Sequence, residues 1–406
     1  MRAIGLDVHR GFCEVAIAED GRVRLARRIG TDPAEVAAFA LGLRPDDVVT
    51  LEATGNAMAI ARILEPHVRV VLANPKATKA ATGMRAKTDR IGARVLAQLL
   101  ASGFLPDVWQ PDPATSALRR QVSRRARLVR QRTEAKSQVH AALVRNLVGR
   151  PPVTDVFGRR GRAWLAEVGL PPDERDGVDA SLRAVDFLDA EVARLDGVLA
   201  AAVLASPDMR RLMTLPGVSA TTAATLGAVI GDVARFPHPD RLVACVGPDP
   251  RVTQSGEDAA RHGRISKQGA PVARQVLVEA ARVASRSPGP LRAFAQRVAA
   301  RRGWNIAIVA VARKLAVIAW HLLSREEEYA HGQSARQRAK LRRLELATGA
   351  APSRGRPVGI AGTDEERRLE RERADHAEAA YRRMVAERSG GRSGAGDASG
   401  ARILRR

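Results

Sequence analysis

The chain has 406 residues, 45% of them hydrophobic, with 67 basic and 44 acidic side chains and a formal net charge of +23. This length and composition exclude a protein that is disordered throughout, allow two or more domains with separate cores, and favour a polyanionic partner. Two distant cysteines and no signal-peptide pattern argue against a disulfide framework, a structural zinc site and secretion, so a reducing, cytoplasmic compartment is expected. The apolar run 306–323 is interrupted by Arg313 and Lys314 and is predicted to be a core helix rather than a membrane span.

Residues 1–110 alternate between short apolar strands and amphipathic helices. The predicted order is three strands, then helix, strand, helix, strand and helix, from the segments "RAIGLDVH", "FCEVAIAEDGRVRLARRI", "DPAEVAAFALGL", "DVVTLEA", "NAMAIARILEP", "VRVVLANP" and residues 88–102. The second segment counts as two strands because it contains Glu19-Asp20-Gly21, a hairpin signal. This order is that of the ribonuclease-H-like fold, an α/β sheet whose first strand is central.

Three acids of this predicted domain stand where a metal site could be built. Asp7 and Glu52 interrupt otherwise apolar strands, where a bare charge is costly, and Asp89 opens the last helix. In a ribonuclease-H-like sheet these elements converge on one edge, so the three carboxylates are predicted to meet there. Carboxylate oxygens suit Mg²⁺, and two Mg²⁺ ions suit phosphodiester chemistry by stabilising the attacking and leaving oxygens. For each acid taken alone, the alternative is a turn or salt-bridge residue.

Residues 111–205 are predicted to be a basic helical and coiled-coil linker. Residues 1–110 hold 15 basic and 12 acidic side chains, so most of the net charge lies beyond them, and residues 114–150 have ten Lys or Arg against the single acid Glu134. Such unopposed charge costs stability unless an anion neutralises it, and arginine matches phosphate oxygens, although a solvated helix face is the alternative. The predicted nucleic-acid contacts of this segment are Arg119, Arg120, Arg124, Arg125, Arg127 and Lys136.

An apolar stripe with spacings of three and four follows the basic segment. Its members are Leu182, Val185, Leu188, Val192, Leu195 and Leu199. The pattern predicts an amphipathic helix that is compatible with a coiled-coil seam. Packing within one chain and a seam between two protomers both account for it, and the sequence leaves both open.

Residues 206–330 are predicted to form a compact helical domain. The turn "LPGV" at 215–218 resembles that of a helix-hairpin-helix, whose outward N–H groups can hold a phosphate. Ser255, in a polar loop, is a candidate nucleophile, although no Ser-His-Asp spacing is visible to activate it. Ser266 is predicted to cap the next helix, and Arg264 and Lys267 are predicted nucleic-acid contacts. Residues 331–406 are predicted to be a basic, largely disordered tail that ends in a Gly/Ser/Arg-rich segment, with exposed helices as the alternative for residues 334–344 and 364–388.

The ordered motifs of residues 3–330 resemble those of the DEDD-type insertion-sequence transposases of the insertion-sequence one-ten group, recombinases guided by a bridge RNA. The motifs that carry the resemblance are "IGLDVHR", "LEATGN", "ANPKATKAATGMRAKTDRIGA", "LPGVSATTAATLGAVIGDVARF", "VGPDPRVTQSGEDAARHGRISKQG" and "AIVAVARKLAVIAWHLL". The resemblance implies a RuvC-like catalytic domain, a coiled-coil linker and a transposase domain that bears the serine. It implies Mg²⁺ ligation by Asp7, Glu52 and Asp89, a covalent link from Ser255 to DNA, a structured guide RNA, and a homo-oligomer, dimer or tetramer, with sites shared between protomers.

One position departs from the family pattern, which has an acid three residues after Asp89. This chain has Gly92, and glycine costs roughly 0.5 to 1 kcal/mol relative to alanine in a helix interior. One interpretation is that three carboxylates completed by water or DNA oxygens hold Mg²⁺, which commonly keeps several waters. The alternatives are an impaired copy that binds DNA or RNA without cutting, and a Mg²⁺-dependent junction nuclease that needs no serine.

Overall fold

The structure is a computed structural model that describes residues 1–82, 89–254, 261–266, 268–350 and 363–390. Two compact units divide the chain, Met1–Pro111 and Asp112–Arg406. The first unit is built on a mixed sheet flanked by helices, and the second is mainly helical.

The sheet of the first unit has six described strands in the spatial order β3-β2-β1-β4-β5-β6. Their bounds are Ala3–Val8 (β1), Phe12–Glu19 (β2), Arg22–Gly30 (β3), Val48–Glu52 (β4), Arg69–Ala73 (β5) and Asp107–Val108 (β6). The strands β1, β4 and β5 are parallel, and the other neighbours are antiparallel. The predicted succession of the first five strands along the chain and the internal position of the first strand are therefore confirmed. The two residues of β6 escaped prediction because so short a strand leaves no alternation in the sequence.

Helices cover both faces of this sheet. Their bounds are Pro33–Leu41 (α1), Ala57–Leu64 (α2), Pro75–Thr82 (α3) and Asp89–Ala101 (α4). The face with Ile4 and Leu6 packs against α1 and α2. The opposite face is lined by small residues of β1 and β2, which contact Ala93 and Ala97 of α4. Gly5 makes this contact possible, because a Cβ at position 5 would lie 2.2 Å from the Ala93 carbonyl oxygen.

The second unit consists of helices and one two-stranded ribbon. The helices are Pro113–Arg145 (α5), Arg159–Glu167 (α6), Pro172–Ala205 (α7), Pro207–Leu212 (α8), Ala220–Ile230 (α9), Pro239–Val246 (α10), Pro271–Ala284 (α11), Pro290–Arg302 (α12), Trp304–Arg325 (α13), Ser334–Ala347 (α14) and Asp364–Gly390 (α15). The ribbon pairs Pro250–Thr253 (β7) with Arg261–Ile265 (β8). Many of these helices start at a proline, whose fixed φ suits the first helical turn. Because α11 starts at Pro271, Ser266 is not its cap, and the Ser266 hydroxyl instead accepts a hydrogen bond from the Gln268 N–H at 3.3 Å.

The apolar stripe of α7 packs within one chain. Helices α5 and α7 lie antiparallel, as the ion pairs Arg125–Asp196 and Arg145–Glu174 show. The stripe residues from Val185 to Leu199 are buried. Of the two alternatives that the sequence left open, the structure therefore shows packing within the chain.

Helix α13 is a core helix, as the sequence predicted. Among the described residues it alone is long and apolar enough to be compared with a membrane span. Its buried residues, among them Val311 and Leu315, belong to the largest hydrophobic cluster of the second unit. Arg313, on its exposed side, bonds Asp249 and Asp240 instead.

The predicted disordered tail contains two packed helices. Leu341 and Leu344 of α14 pack against the core of the second unit. On α15, the Glu378 carboxylate is 5% exposed and accepts hydrogen bonds from the Gly289 N–H at 3.1 Å and from Arg292 at 2.8 Å. The structure therefore shows helices at the two stretches where the sequence allowed them, but packed rather than exposed; the high charge of the segment hides its few apolar contacts. Residues 351–362 and 391–406, which include the Gly/Ser/Arg-rich end, lie outside the described residues.

Candidate functional site

Asp7 and Glu52 lie on the same face of the sheet. The parallel register pairs Gly5 with Thr50 and Leu6 with Leu51. Because side chains alternate along a strand, Asp7 shares the face of Gly5 and Glu52 shares the face of Thr50. This is the face that α4 covers through its contact with Gly5. Both acids stand at the carboxyl ends of their strands, where the first unit can present them to a ligand.

The two acids differ in burial and are framed by ordered loops. Asp7 is 5% exposed, and its Oδ2 lies 3.9 Å from Nε2 of His9, whereas Glu52 is half-buried. The loops after β1 and β4 are joined by the Asn56 side chain, whose Nδ2 donates to the His9 carbonyl oxygen at 2.9 Å. The "LEATGN" segment therefore supplies both an acid and the amide that fixes the neighbouring loop.

Glu14 is a third acid on this face, which the sequence analysis missed. It is the direct cross-strand partner of Asp7 in the antiparallel β1–β2 pair, so both side chains point to the same side. Glu14 is buried, and its Oε1 accepts from Nε of Arg28 at 2.9 Å and from Nη2 at 2.5 Å. An acid inside the apolar run "FCEVAIA" was the available signal. Its charge is matched by Arg28, whose guanidinium also lies 4.0 Å from the centre of the Phe12 ring.

Asp89 is the first residue of α4, one turn before the Ala93 contact with the sheet, and its side chain lies outside the described part of the chain. Gly92 of the same helix is buried. Within the described ranges, no three His, Cys, Asp or Glu side chains lie close enough together to hold a metal ion. The donors present at the sheet edge are carboxylate oxygens, which fit a hard divalent cation such as Mg²⁺. The structure thus brings Asp7 and Glu52 to one face and leaves the meeting of all three acids untested.

Ser255 and Lys267 lie outside the described residues. Ser255 falls in sequence between β7 and β8, and Arg264 of β8 is exposed. The base of this ribbon is held firmly, because Arg313 donates to Asp249 and, at 2.9 Å, to Asp240. These bonds link the residue before β7 to α10 and α13.

Arg119, one of the predicted nucleic-acid contacts, is used inside the protein. Its Nε donates to the carbonyl oxygen of Ala228 at 2.7 Å and its Nη2 to that of Val229 at 3.1 Å. Arg235 donates to Ile230 and Val229 at the same end of α9. Burial lowers the pKa of Arg119, and the nearby charge of Arg235 lowers it further. Two guanidinium groups thus satisfy carbonyl groups that a helix end leaves without partners.

The other predicted contacts on α5 divide into two groups. Arg124 pairs with Glu191 at 2.7 Å, Arg125 pairs with Asp196, and the Lys136 ammonium lies 4.7 Å from the centre of the Phe157 ring. The second group is exposed and has no ion-pair partner among the residues that the structure describes. It consists of the predicted contacts Arg120 and Arg127. Arg130, which the sequence analysis did not select, is likewise exposed and without an ion-pair partner among those residues. Arg120, Arg127 and Arg130, here called the α5 arginine face, lie at spacings of seven and three on one side of the helix.

Comparison with known proteins agrees with this arrangement. Residues 4–146 match a DEDD transposase family model of the IS110 group, described as transposase. Residues 209–296 match the model described as transposase of the IS116/IS110/IS902 family. The first match covers the sheet and α5, and the second covers the region from α8 to α12.

Several transposases resemble this chain over most of its length. The transposase for insertion sequence element IS1111A of Coxiella burnetii is 26% identical over 340 residues, 82% of this chain and 92% of its own. The putative transposase y4qE of Sinorhizobium fredii is 30% identical over 287 residues, 68% and 70% respectively. The transposase for insertion sequence element IS1328 of Yersinia enterocolitica is 26% identical, covering 68% and 83%. With its ribonuclease-H-like sheet and these two matched regions, the chain belongs to the IS110 family of DEDD transposases.

Proposed function

We propose that this transposase cleaves and rejoins DNA strands with Mg²⁺ held by Asp7, Glu52 and Asp89 and with Ser255 as the nucleophile. The observation that supports the proposal best is the placement of Asp7 and Glu52 on one face at the ends of β1 and β4. The fold family normally uses a divalent metal ion, and these oxygen donors suit one. When bound, Mg²⁺ supplies positive charge that stabilises the oxygens of the reacting phosphodiester.

The protein's own contribution at the sheet edge is to hold charge in place. A carboxylate as buried as Asp7 costs free energy, and a cation bound beside it offsets that cost. The Asn56–His9 hydrogen bond keeps the two acid-bearing loops together. Preorganised charge of this kind needs little reorganisation during the reaction.

The serine step is a transesterification. The Ser255 oxygen forms a bond to phosphorus while the bond from phosphorus to a deoxyribose oxygen breaks, and the serine proton passes to that leaving oxygen. The covalent protein–DNA ester keeps the energy of the broken bond, so the reverse attack by a deoxyribose hydroxyl rejoins a strand without a cofactor. The family's arrangement, with serine and carboxylates contributed by different protomers of a homo-oligomer, would explain why Ser255 has no base near it in sequence.

The proposed nucleic-acid surface includes the α5 arginine face, Arg264 and Lys267. The three arginines of that face are exposed and free of ion pairs within the described ranges, so they can exchange counterions for phosphates. DNA is the partner that a transposase requires, and we extend the proposal to a structured guide RNA that selects the target. Arg124, Arg125 and Lys136 keep the α5–α7 pair together in this proposal and contact nucleic acid only secondarily.

Covalent trapping tests the nucleophile. The purified chain is incubated with its element's RNA, a junction DNA labelled at one end, and Mg²⁺, and is then run on a denaturing gel. We expect a protein–DNA species that Ser255→Ala abolishes and that the matched control Ser266→Ala retains. Strand transfer by Ser255→Ala at the normal rate would reject the serine assignment. Cleavage without any covalent species would instead assign the chain as a metal-dependent junction nuclease.

A second candidate function is binding without cleavage. Gly92 is buried in α4 at the position where the family pattern has an acid. Gly92→Asp distinguishes the two candidates, with Gly92→Asn as the uncharged control of the same size. A large gain in cleavage from the aspartate alone would assign the natural chain to binding. Equal cleavage in the natural chain would show that three carboxylates suffice.

A further inference from the structure

The second unit contains a cavity that none of the site residues above lines. Its volume is about 400 Å³, and three segments surround it. They are the turn 213–220 that includes "LPGV", the connection between α11 and α12 at 283–291, and the segment 329–344 with most of α14. Helix α14 belongs to the region predicted to be a disordered tail and lies beyond the matched residues 209–296.

Lys340 joins α14 to the turn. Its Nζ is largely buried and donates to the carbonyl oxygens of Met213 at 3.0 Å and Val218 at 2.9 Å, one at each end of the turn. An ammonium has three N–H donors, so one remains for a ligand in the cavity. Burial lowers the pKa of Lys340 to about 8, and the charge of Arg336 also lowers it, a cost that a bound anion would offset.

Two further cations stand beside Lys340. Arg336 and Arg343 line the cavity at spacings of four and three from Lys340, so the three side chains share one side of α14. Both arginines are exposed and have no ion-pair partner among the described residues. The neighbouring Arg338, in contrast, pairs with Glu366 of α15. The positive charge at the cavity is therefore concentrated and unneutralised.

The remaining walls are apolar and aromatic. Proline and leucine side chains at 216, 288, 290 and 291 line the cavity. Tyr329 and His331 also line it, with ring centres 5.5 Å apart in an edge-to-face arrangement. Ser219 and Ala220, at the start of α9, border the same space, and the first N–H groups of a helix have no partner within the helix.

We propose that this cavity binds one nucleotide unit of a nucleic-acid strand, with the phosphate against Arg336 and Arg343 and the base against the apolar and aromatic wall. Bases held out of a helix are recognised by stacking on aromatic and apolar surfaces and by cations on the flanking phosphate. A free anion alone would leave the apolar wall unused, and an apolar ligand would leave three cations unused. The inference rests on the proposed nucleic-acid function only for the choice of ligand class.

Calorimetric titration of the full chain tests the proposal, with deoxyadenosine monophosphate, adenosine monophosphate, deoxyadenosine and inorganic phosphate as probes. We expect the two monophosphates to bind more tightly than the nucleoside or phosphate alone. Tighter binding of the ribose form would assign the strand as RNA, and tighter binding of the deoxyribose form would assign it as DNA. Either preference supports the cavity as a nucleotide site, whereas phosphate binding as tight as that of the nucleotides would overturn it.

Substitutions locate the binding. The double variant Arg336→Ala with Arg343→Ala should weaken mononucleotide binding at least about tenfold, because charge-assisted hydrogen bonds to phosphate are the strong ones. Arg338→Ala removes the same charge from the same helix away from the cavity and should leave the affinity unchanged. Both changes are at exposed residues, and thermal unfolding checks that the variants fold. Unchanged affinity in the folded double variant would contradict the proposal.

The cavity proposal and the proposed catalytic function can fail independently of each other. Mononucleotide binding needs neither the carboxylates nor Ser255. A chain that binds the nucleotide in this cavity but forms no covalent DNA species would retain the cavity assignment and lose the serine step.

Discussion

The sheet edge of the first unit and helix α5 of the second both carry charged residues that the sequence predicts to be functional. The surroundings of these charges differ between the two regions. At the sheet edge, single acids interrupt apolar strands and come together on one face. On α5 the charges are dense, yet Arg119, Arg124 and Arg125 are bonded within the protein. A high density of charge therefore does not by itself identify the residues that bind a ligand, because dense charge on a long helix finds structural partners.

Asp7→Asn should produce the largest effect. It keeps the shape of the side chain but removes the charge that is proposed to hold Mg²⁺, so we expect strand cleavage to fall by a factor of about 10² to 10³, as for other preorganised electrostatic groups. Single-turnover cleavage of a labelled junction measures the change. Asp46→Asn, at an exposed acid that contacts the chain's amino terminus, is the control and should cleave normally. Normal cleavage by Asp7→Asn would remove the sheet edge from the mechanism.

Glu378 is a second buried acid, and comparing it with Asp7 tests whether burial of an acid is enough to indicate catalysis. This carboxylate is buried like Asp7 but is bonded by Arg292, Arg382 and the Gly289 N–H, so a structural role is expected. Glu378→Ala should destabilise the docking of α15 by roughly 3 kcal/mol, since it leaves a buried ion pair broken. Hydrogen exchange of residues 364–387 measures this, and Glu372→Ala, at an exposed acid of the same helix, should have little effect.

The same group gives the docking of α15 a pH dependence. Burial raises the pKa of Glu378, but hydrogen bonds from Arg382, Gly289 and Arg292 outweigh it, so the pKa lies below the ordinary value. Because the pKa is lowered, the ionised carboxylate stabilises the folded form at pH values above the ordinary pKa of a carboxyl group. This contribution is lost as the pH falls through the lowered pKa. Protection of α15 from exchange should therefore be constant near neutral pH and decline in acid. A decline at rising pH would contradict this assignment.

Arg119→Ala should cost about 2 kcal/mol of stability, because hydrogen bonds from a charged group are worth roughly 1.5 to 3 kcal/mol. The Ala228 carbonyl loses its Arg119 donor, while the Val229 carbonyl keeps its bond from Arg235. The urea midpoint of the second unit's unfolding measures it. Arg120→Ala, one residue along the same helix and exposed, should leave the midpoint unchanged. Equal midpoints for the two variants would mean that Arg119 is not a structural residue.

The smallest expected effect concerns the α5 arginine face. The double variant Arg120→Ala with Arg127→Ala should weaken DNA or RNA binding about tenfold near physiological salt, with no change in stability. The slope of log affinity against log salt concentration should fall by about the amount expected for two lost phosphate contacts. Electrophoretic mobility shifts at several salt concentrations measure this. Arg124→Ala with Arg125→Ala is the matched pair, and it should change the affinity less, because those side chains bond Glu191 and Asp196. A greater loss in the matched pair would reverse the proposed division of α5.

The strands and most helices of the first unit could be predicted from the sequence, because the patterns that indicate them are local. Each apolar run is bounded by a turn signal, and the strand order follows from the alternation of strands and helices. Glu14 was missed although it interrupts an apolar strand as Asp7 does, and only the strand register shows that it lies directly opposite Asp7 on the same face. Likewise, the sequence allowed exposed helices at α14 and α15 but not their packing, because their few apolar residues show no partner until the core that receives them is known.

By itself, the sequence determined the ribonuclease-H-like order of the first unit, the helical character of the second, the core role of α13 and the family resemblance. The first three depend on periodicity and spacing, which are properties of neighbouring residues, and the resemblance depends on the ordered motifs of residues 3–330. The tertiary structure alone decided which arginines of α5 remain exposed, that the α7 stripe packs within the chain, and that α14 closes a cationic cavity over the turn 213–220. These depend on contacts between residues far apart in sequence, and no local pattern encodes which distant carboxylate or carbonyl group will neutralise a given guanidinium.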